Sequence, residues 1–280
     1  MASRLPLKKL ALRLRICYNI PMEIITSASN KIVKYVKGLH GKKERTAEAA
    51  FLAEGAKILA EIKQPWEIQM VVASKTFAAT HADDLEKYAD QAKTPLHVVA
   101  DQIFPGDAVT PQGLLAVVKQ RTFGPQEAIC GECPLVLVLE EISDPGNLGT
   151  MLRIAHGLGL GVVLSPNCAD VFSPKVVRSS AGSLFHVPFT IMPVDKAAAF
   201  LKSHGIAIFA ATAAASDALY HLDFRRPAAI LIGNEARGIS DKTLSLADYH
   251  VKIPAIAESL NASVACGILA YEATRQRLSN

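Results

Sequence analysis

At 280 residues, half of them apolar and a fifth charged, the chain can bury two medium cores, and its composition excludes extensive disorder. No apolar run reaches the 18 or so residues that a membrane-spanning helix needs. The formal net charge of +4 is unevenly spread: residues 1–50 hold 11 Lys/Arg against 3 Asp/Glu, so the remainder is net negative. Either a polyanion-binding face, with nucleic acid the candidate partner, or a plain solvated surface accounts for that asymmetry.

In chain order, residues 1–21 are basic and acid-free, with neither the apolar core nor the cleavage site of a secretion signal; an organelle transit peptide and an overextended start before Met22 are the two readings, and a flexible leader is expected. Residues 22–120 mix helices and short strands. Ser29 to Leu39 is predicted helical and basic, and in FLAEGAKILAEI the residues Leu52, Ile58, Leu59 and Ile62 keep helical spacing. IQMVVAS, PLHVVA and GLLAVVK are expected strands, making a smaller α/β module. Residues 121–134, with two Gly and two Pro, are expected as a linker. Cys17, Cys130, Cys133, Cys168 and Cys266 have no regular spacing, which argues against a disulfide framework and for a reducing cytoplasm. The lone CxxC at Cys130 and Cys133 lacks the second pair of a structural zinc site, and no metal is expected.

From 135 to 280 the pattern becomes regular. LVLVLE, GVVLSP, VPFTI, IAIFAAT, AAILIGNE and YHVKIP are expected strands, with helices over 148–158, 174–185, 195–204 and 260–277. Continuous apolar strands between helices predict a mostly parallel sheet covered on both faces. Ligands of such sheets gather beyond the strands' carboxyl ends.

Three loops at such ends carry polar residues. In DPGNLGTMLR, Pro145 and Gly146 fit a tight turn, and Asn147 can cap a helix starting at Leu148. Leu148, Met151, Leu152 and Ala155 then form its buried face, leaving Gly149, Arg153, His156 and Gly157 on the open side. The Arg153 fork suits a phosphate or carboxylate ligand, or alternatively a structural ion pair. ILIGNEARGIS presents Asn234 and Glu235, and IPAIAESLNASVACGILA presents Glu258, Ser259 and Asn261. Each loop alone could be turn and capping chemistry; three in one sheet can converge.

Asn147, Gly149 and Arg153 as NxGxxxR, Gly233, Asn234, Glu235 and Gly238 as GNExxG, and PxxxESLNxSVA from Pro254 to Ala265 resemble the three motifs of the SpoU/TrmH branch of SPOUT methyltransferases. FSPKVVRSSAGSLFHVPF is similar to the family's intervening segment, and the SxxNxxVK start and FLAEGAK to the substrate-binding domain of its ribosomal members. The resemblance implies methyl transfer from S-adenosyl-L-methionine to a ribose 2′-hydroxyl of RNA, by a homodimer whose domain ends in a trefoil knot. It implies that Arg153 sits beside the target phosphate and hydroxyl, that Asn147 and Glu235 hold the loops and RNA, and that Ser259 and Asn261 lie near the reacting centre. Leu231, Ile232, Gly233, Asn234, Glu235, Gly238, Ile253, Leu260, Asn261 and Ser263 would hold the cofactor. Lys31, Lys34, Lys37, Lys42, Lys43 and Arg45 would contact RNA phosphates.

A guanidinium stays protonated at ordinary pH, so Arg153 is expected to stabilise an alkoxide rather than act as a base. His156, one turn on, is the alternative base, or a packed or solvated side chain. A dinucleotide-binding GxGxxG is absent where DPGNLG stands, and no GxSxG elbow occurs. The added module favours ribosomal over transfer RNA; a non-catalytic RNA-binding protein is the reading from another class.

Overall fold

The computed structural model describes residues 24–82, 85, 88, 95–106, 112–129, 131–257 and 259–278. The expected leader, 1–21, lies outside the described residues, as do Cys130 and Glu258. Two units are present: one runs up to Arg121 and includes Phe172–Arg178, the other comprises Thr122–Val171 and the chain from Ser179 onward.

The first unit carries a four-stranded sheet in the order β1-β4-β2-β3, with β1 Ala50–Glu54, β2 Ile68–Ser74, β3 Leu96–Val99 and β4 Leu114–Lys119. β4 runs antiparallel to both neighbours, while β2 and β3 are parallel. The Lys31–Gly38 helix starts at Asn30, whose side chain accepts from the Ile32 N–H. Its buried Val33 and Val36, with Leu39, pack on Leu52, Val72, Leu115 and Val117. Lys31, Lys34 and Lys37 are left exposed on the opposite face. The helical spacing read in FLAEGAKILAEI holds only for Ala56–Ala60; Ala50–Glu54 is a strand, because pairing with β4 buries nearly every residue on both faces.

The second unit is a six-stranded sheet in the order β10-β8-β9-β5-β6-β7, every pairing parallel. Its strands are β5 Leu135–Leu139, β6 Gly161–Leu164, β7 Phe189–Ile191, β8 Ala207–Ala211, β9 Ala228–Ile232 and β10 Tyr249–Val251. All residues of β5, β6 and β9 are buried, so both faces of the central sheet are covered. Val136, Val138, Ala229 and Leu231 meet Ala197, Ala198 and Leu201 of the Val194–Ser203 helix. From β5 the chain winds outward through β6 and β7, then crosses to the other side of β5 for β8, β9 and β10. The loops after β5 and β9 therefore diverge at a topological switch point, where such sheets take their ligands.

Two boundaries differ from expectation. The segment 121–134 is no free linker: from Thr122 it packs within the second unit, where the Phe123 N–H donates to the Phe189 carbonyl and Ala128 is buried. A Cβ at Gly161 would lie 1.9 Å from the Ala128 carbonyl oxygen, so this contact uses the missing side chain. Residues 174–185 are likewise not one helix. The helix ends at Ser179, Ala181 and Gly182 turn left-handed at φ 49° and 90°, and a short 3₁₀ turn follows at Ser183–Phe185. Near the chain's end Arg277 donates to the carbonyls of Phe224 (2.8 Å), Cys133 (2.9 Å) and Arg226 (2.6 Å), pinning the Ala262–Leu278 helix to the start of the unit. Among the described residues no helix is long and apolar enough to cross a membrane.

Candidate active site

The helix after β5 begins at Pro145, three residues before the expected start. Asp144, not Asn147, caps it, accepting from the Asn147 backbone N–H at 2.8 Å, and Pro145 takes the first turn, where a missing N–H costs nothing. The Asn147 side chain is thereby released for another task. Its Nδ2 donates to Glu235 Oε1 at 3.0 Å, and its Oδ1 accepts from Asn261 Nδ2 at 3.1 Å. Asn261 Oδ1 in turn accepts from the Ser263 N–H (2.9 Å), the Ser263 hydroxyl (2.7 Å) and the Val264 N–H (3.2 Å), capping the last helix. Each amide has one orientation compatible with these partners: the Asn261 oxygen is committed to helix N–H groups, so its nitrogen must face Asn147. A continuous chain thus joins Glu235, Asn147 and Asn261, and with it the loops after β9, β5 and β10.

Glu235 is the hub. Besides Asn147 it accepts from the Ser143 N–H (3.0 Å), the Ser143 hydroxyl (2.8 Å) and the Asp144 N–H (3.0 Å). Burial pushes its carboxyl up, but donation by the Asn147 amide and the N–H groups of Ser143, Glu235 itself and Asp144 outweighs that and holds it down at about 2. It is a fixed anion with its lone pairs occupied, unsuited to taking a proton.

The Glu235 loop is closed tightly: Asn234 and Gly238 exchange backbone hydrogen bonds at 3.0 and 2.9 Å, and Asn234 Oδ1 accepts from the N–H groups of Ala236 and Arg237. Gly238 sits at φ 68°. A Cβ on Gly233 would lie 2.3 Å from the Gly238 carbonyl carbon, a backbone atom that cannot step aside. Gly233→Ala is therefore expected to destabilise the protein by about 3 kcal/mol in chemical denaturation; an unchanged midpoint would show that the loop can open at no cost.

Around this centre lie residues that spacing did not single out. Glu141 holds φ 53°, a left-handed conformation costing a non-glycine residue roughly 1 kcal/mol. The Glu140 carboxylate is buried and accepts from the Ser240 N–H and hydroxyl and from Thr243 Oγ1 (2.6 Å), anchoring the far end of the Glu235 loop. Ser143 and Asp144 complete the Glu235 shell; the Asp-Pro pair is a helix-start signal that could have identified Asp144.

The remaining expected site residues are placed as follows. Arg153 is exposed, with no hydrogen bond or ion pair among the described residues. Gly149, expected on the open side of that helix, is buried instead; its absent Cβ would meet Ser179 Oγ at 1.9 Å. His156 is exposed; its Nδ1 meets Ser183 Oγ at 3.2 Å, and its ring stacks on His186 at 4.4 Å. Leu231 and Ile232 are buried core residues of β9, Ile253 is half-buried, Ser263 is buried, and Ser259 and Leu260 are exposed. The five lysines Lys31, Lys34, Lys37, Lys42 and Lys43 are exposed. Arg45 is not available to RNA: it is buried and its Nη1 donates to the carbonyls of Leu39 (3.0 Å) and His40 (2.6 Å), closing the turn between two helices.

A parallel sheet with three polar loops locked together at its switch point defines an α/β ligand-binding domain. Residues 134–271 match the SpoU rRNA Methylase family, and residues 30–116 match the MRM3-like substrate binding domain. The 23S rRNA (guanosine(2553)-2′-O)-methyltransferase RlmP of Bacillus subtilis is 33% identical over 259 residues, covering 89% of this chain and 98% of that one. The SpoU methyltransferase AviRb from Streptomyces viridochromogenes, solved with the cofactor AdoMet, superposes with a TM-score of 0.83 at 27% identity, over 90% and 99% of the two chains. An AdoMet-bound rRNA methyltransferase from Sinorhizobium meliloti gives 0.79 at 27% identity, over 92% and 99%. The chain belongs to the SpoU rRNA methylase family.

Proposed function

We propose that the protein transfers a methyl group from S-adenosylmethionine to a ribose 2′-hydroxyl of ribosomal RNA. The observation that carries this reading is the Glu235–Asn147–Asn261 chain, which draws together the three motif loops. The residues fit an adenosyl cofactor: Ile256 and Leu260 leave apolar surface uncovered in the loop that ends at Asn261, and Gly238 leaves open space where a side chain would stand. The backbone of Leu231, Ile232, Gly233, Ile253 and Leu260, with Asn234 and Ser263, would hold it. When bound, it supplies a sulfonium methyl already activated for transfer.

The chain's own residues then align and stabilise. Arg153, exposed and uncommitted among the described residues, clamps the phosphate next to the target ribose and stabilises the developing alkoxide; the proton passes to phosphate or water. Glu235 and Asn147 keep the loops in register, and Ser259 and Asn261 border the reacting centre. The lysine face of the first unit docks the RNA. Neutralising Lys31, Lys34 and Lys37 together is expected to weaken RNA binding and to lower the slope of log affinity against log salt by about 2 to 3, with cofactor affinity unchanged. Equal loss of both affinities would contradict a separate docking face.

We further infer a homodimer: Val264, Ile268, Tyr271 and Leu278 stand exposed along one side of the last helix, at 51%, 37%, 62% and 79%, an apolar stripe suited to a second copy. A trefoil knot formed by the carboxyl-terminal segment and a cytoplasmic location, in keeping with the free thiols of Cys133, Cys168 and Cys266, complete the reading. Calorimetry with S-adenosylmethionine, followed by mapping of 2′-O-methyl sites in ribosomal and transfer RNA from a deletion strain, tests it. Absence of cofactor heat would leave an RNA-binding protein, and a lost methyl in transfer RNA would move the substrate.

A further inference from the structure

Glu141 is tied to its surroundings by both backbone and side chain. Its N–H donates to Ser165 Oγ at 2.8 Å, and its carbonyl accepts from Asn234 Nδ2 at 2.7 Å. Its carboxylate accepts from Asn167 Nδ2 at 3.0 Å on one oxygen and pairs with Arg237 Nη2 on the other. Two of these four bonds reach the loop after β6 and two reach the loop after β9, the strands that flank β5 in the sheet. The left-handed backbone at φ 53° is what lets one residue point its carbonyl at Asn234 and its carboxylate at Arg237. Such strain, held by partners on both sides, is the kind found where a loop must be kept in one geometry.

The arrangement is reciprocal. Glu235, from the loop after β9, reaches across to Ser143, Asp144 and Asn147; Glu141, from the loop after β5, reaches back to Asn234 and Arg237. Glu235 holds this loop near its start and Glu140 holds its far end at Ser240; Glu141 adds a further hold between them, on Asn234 and Arg237. Arg237 itself is 72% exposed at its side chain, so the pair adds little to global stability. Its effect falls on the position of the Asn234–Gly238 turn.

We propose that Glu141, acting through Arg237 and Asn234, is a positioning residue that sets the cofactor-binding geometry of the Glu235 loop. The inference rests on the methyltransferase reading. It is tested in the full-length protein with Glu141→Gly, which tolerates the left-handed backbone, with Arg237→Met, an exposed change that does not threaten folding, and with both together. S-Adenosylmethionine affinity by calorimetry, RNA affinity by filter binding and the thermal midpoint are read in parallel.

Each single variant is expected to keep the wild-type midpoint within a few degrees and its RNA affinity, while binding the cofactor about tenfold more weakly. The double variant is expected to be no worse than Glu141→Gly, since the two residues share one connection. Wild-type cofactor affinity in either single variant overturns the proposal, as do losses that add in the double variant. A fall in RNA affinity with cofactor affinity intact overturns it in favour of a direct phosphate contact by Arg237. If the unaltered protein gives no cofactor heat, the methyltransferase reading itself fails, an outcome distinct from the others.

Discussion

Glu235→Ala is expected to lower kcat/KM for methyl transfer by about a hundredfold or more and to cost roughly 2 kcal/mol of stability. The reason is arithmetic in donors. The N–H groups of Ser143 and Asp144, the Ser143 hydroxyl and the Asn147 amide all lose their acceptor at once, and Asn147 keeps only its bond to Asn261. Glu235→Gln should be milder, since one amide oxygen can still accept, but its NH₂ would face donors. Steady-state kinetics with denaturation curves check both; near-normal turnover in Glu235→Ala would mean that the three loops hold their places without the carboxylate.

The same residue predicts a pH dependence. Its folded carboxyl titrates at about 2, below the 4.5 of an unconstrained glutamate. Its stabilising contribution is therefore complete above about pH 4.5 and is lost as pH falls through that interval towards 2. Thermal midpoints measured across this window should drop more steeply in the wild-type protein than in Glu235→Gln. Parallel curves would mean that other carboxylates carry the acid transition.

Arg153→Ala is expected to reduce single-turnover methyl transfer by about a thousandfold, and Arg153→Lys by about a hundredfold, with cofactor affinity unchanged in both. The lysine variant is the sharper test because it keeps the charge and removes only the planar fork that grips a phosphate on two sides. Arg153 is exposed, so neither change should disturb folding. A lysine variant that methylates RNA at the wild-type rate would eliminate the clamp and return attention to His156.

The strands of the second unit were legible because each is a continuous apolar run, and a buried parallel strand leaves that trace whatever its partner. β1 was not, since Ala50–Glu54 abuts a short helix and the apolar residues of the two together mimic helical spacing. Arg45 looked like its lysine neighbours in a basic segment, yet its fork fits the carbonyls of Leu39 and His40 at the end of the preceding helix, a use that charge counting cannot register. Asn147 was expected to cap the helix, and the structure gives that role to Asp144. As a helix cap it would have been spent on backbone, and only the one-turn shift that gives the cap to Asp144 frees its amide for Glu235 and Asn261.

Local chemistry along the chain, the apolar runs, the glycines at sharp turns and the polar residues at strand ends, was enough to specify a parallel α/β domain, a basic companion module and the residue types from which a site could be made. Which of those residues meet was decided by strand order. Placing β9 beside β5 brings Glu235 to Asn147 across 88 positions of chain, and capping of the last helix by Asn261 closes a contact across 114. Such pairings carry no period or spacing in sequence, because a hydrogen bond depends on distances of about 3 Å in space, and the fold alone sets those.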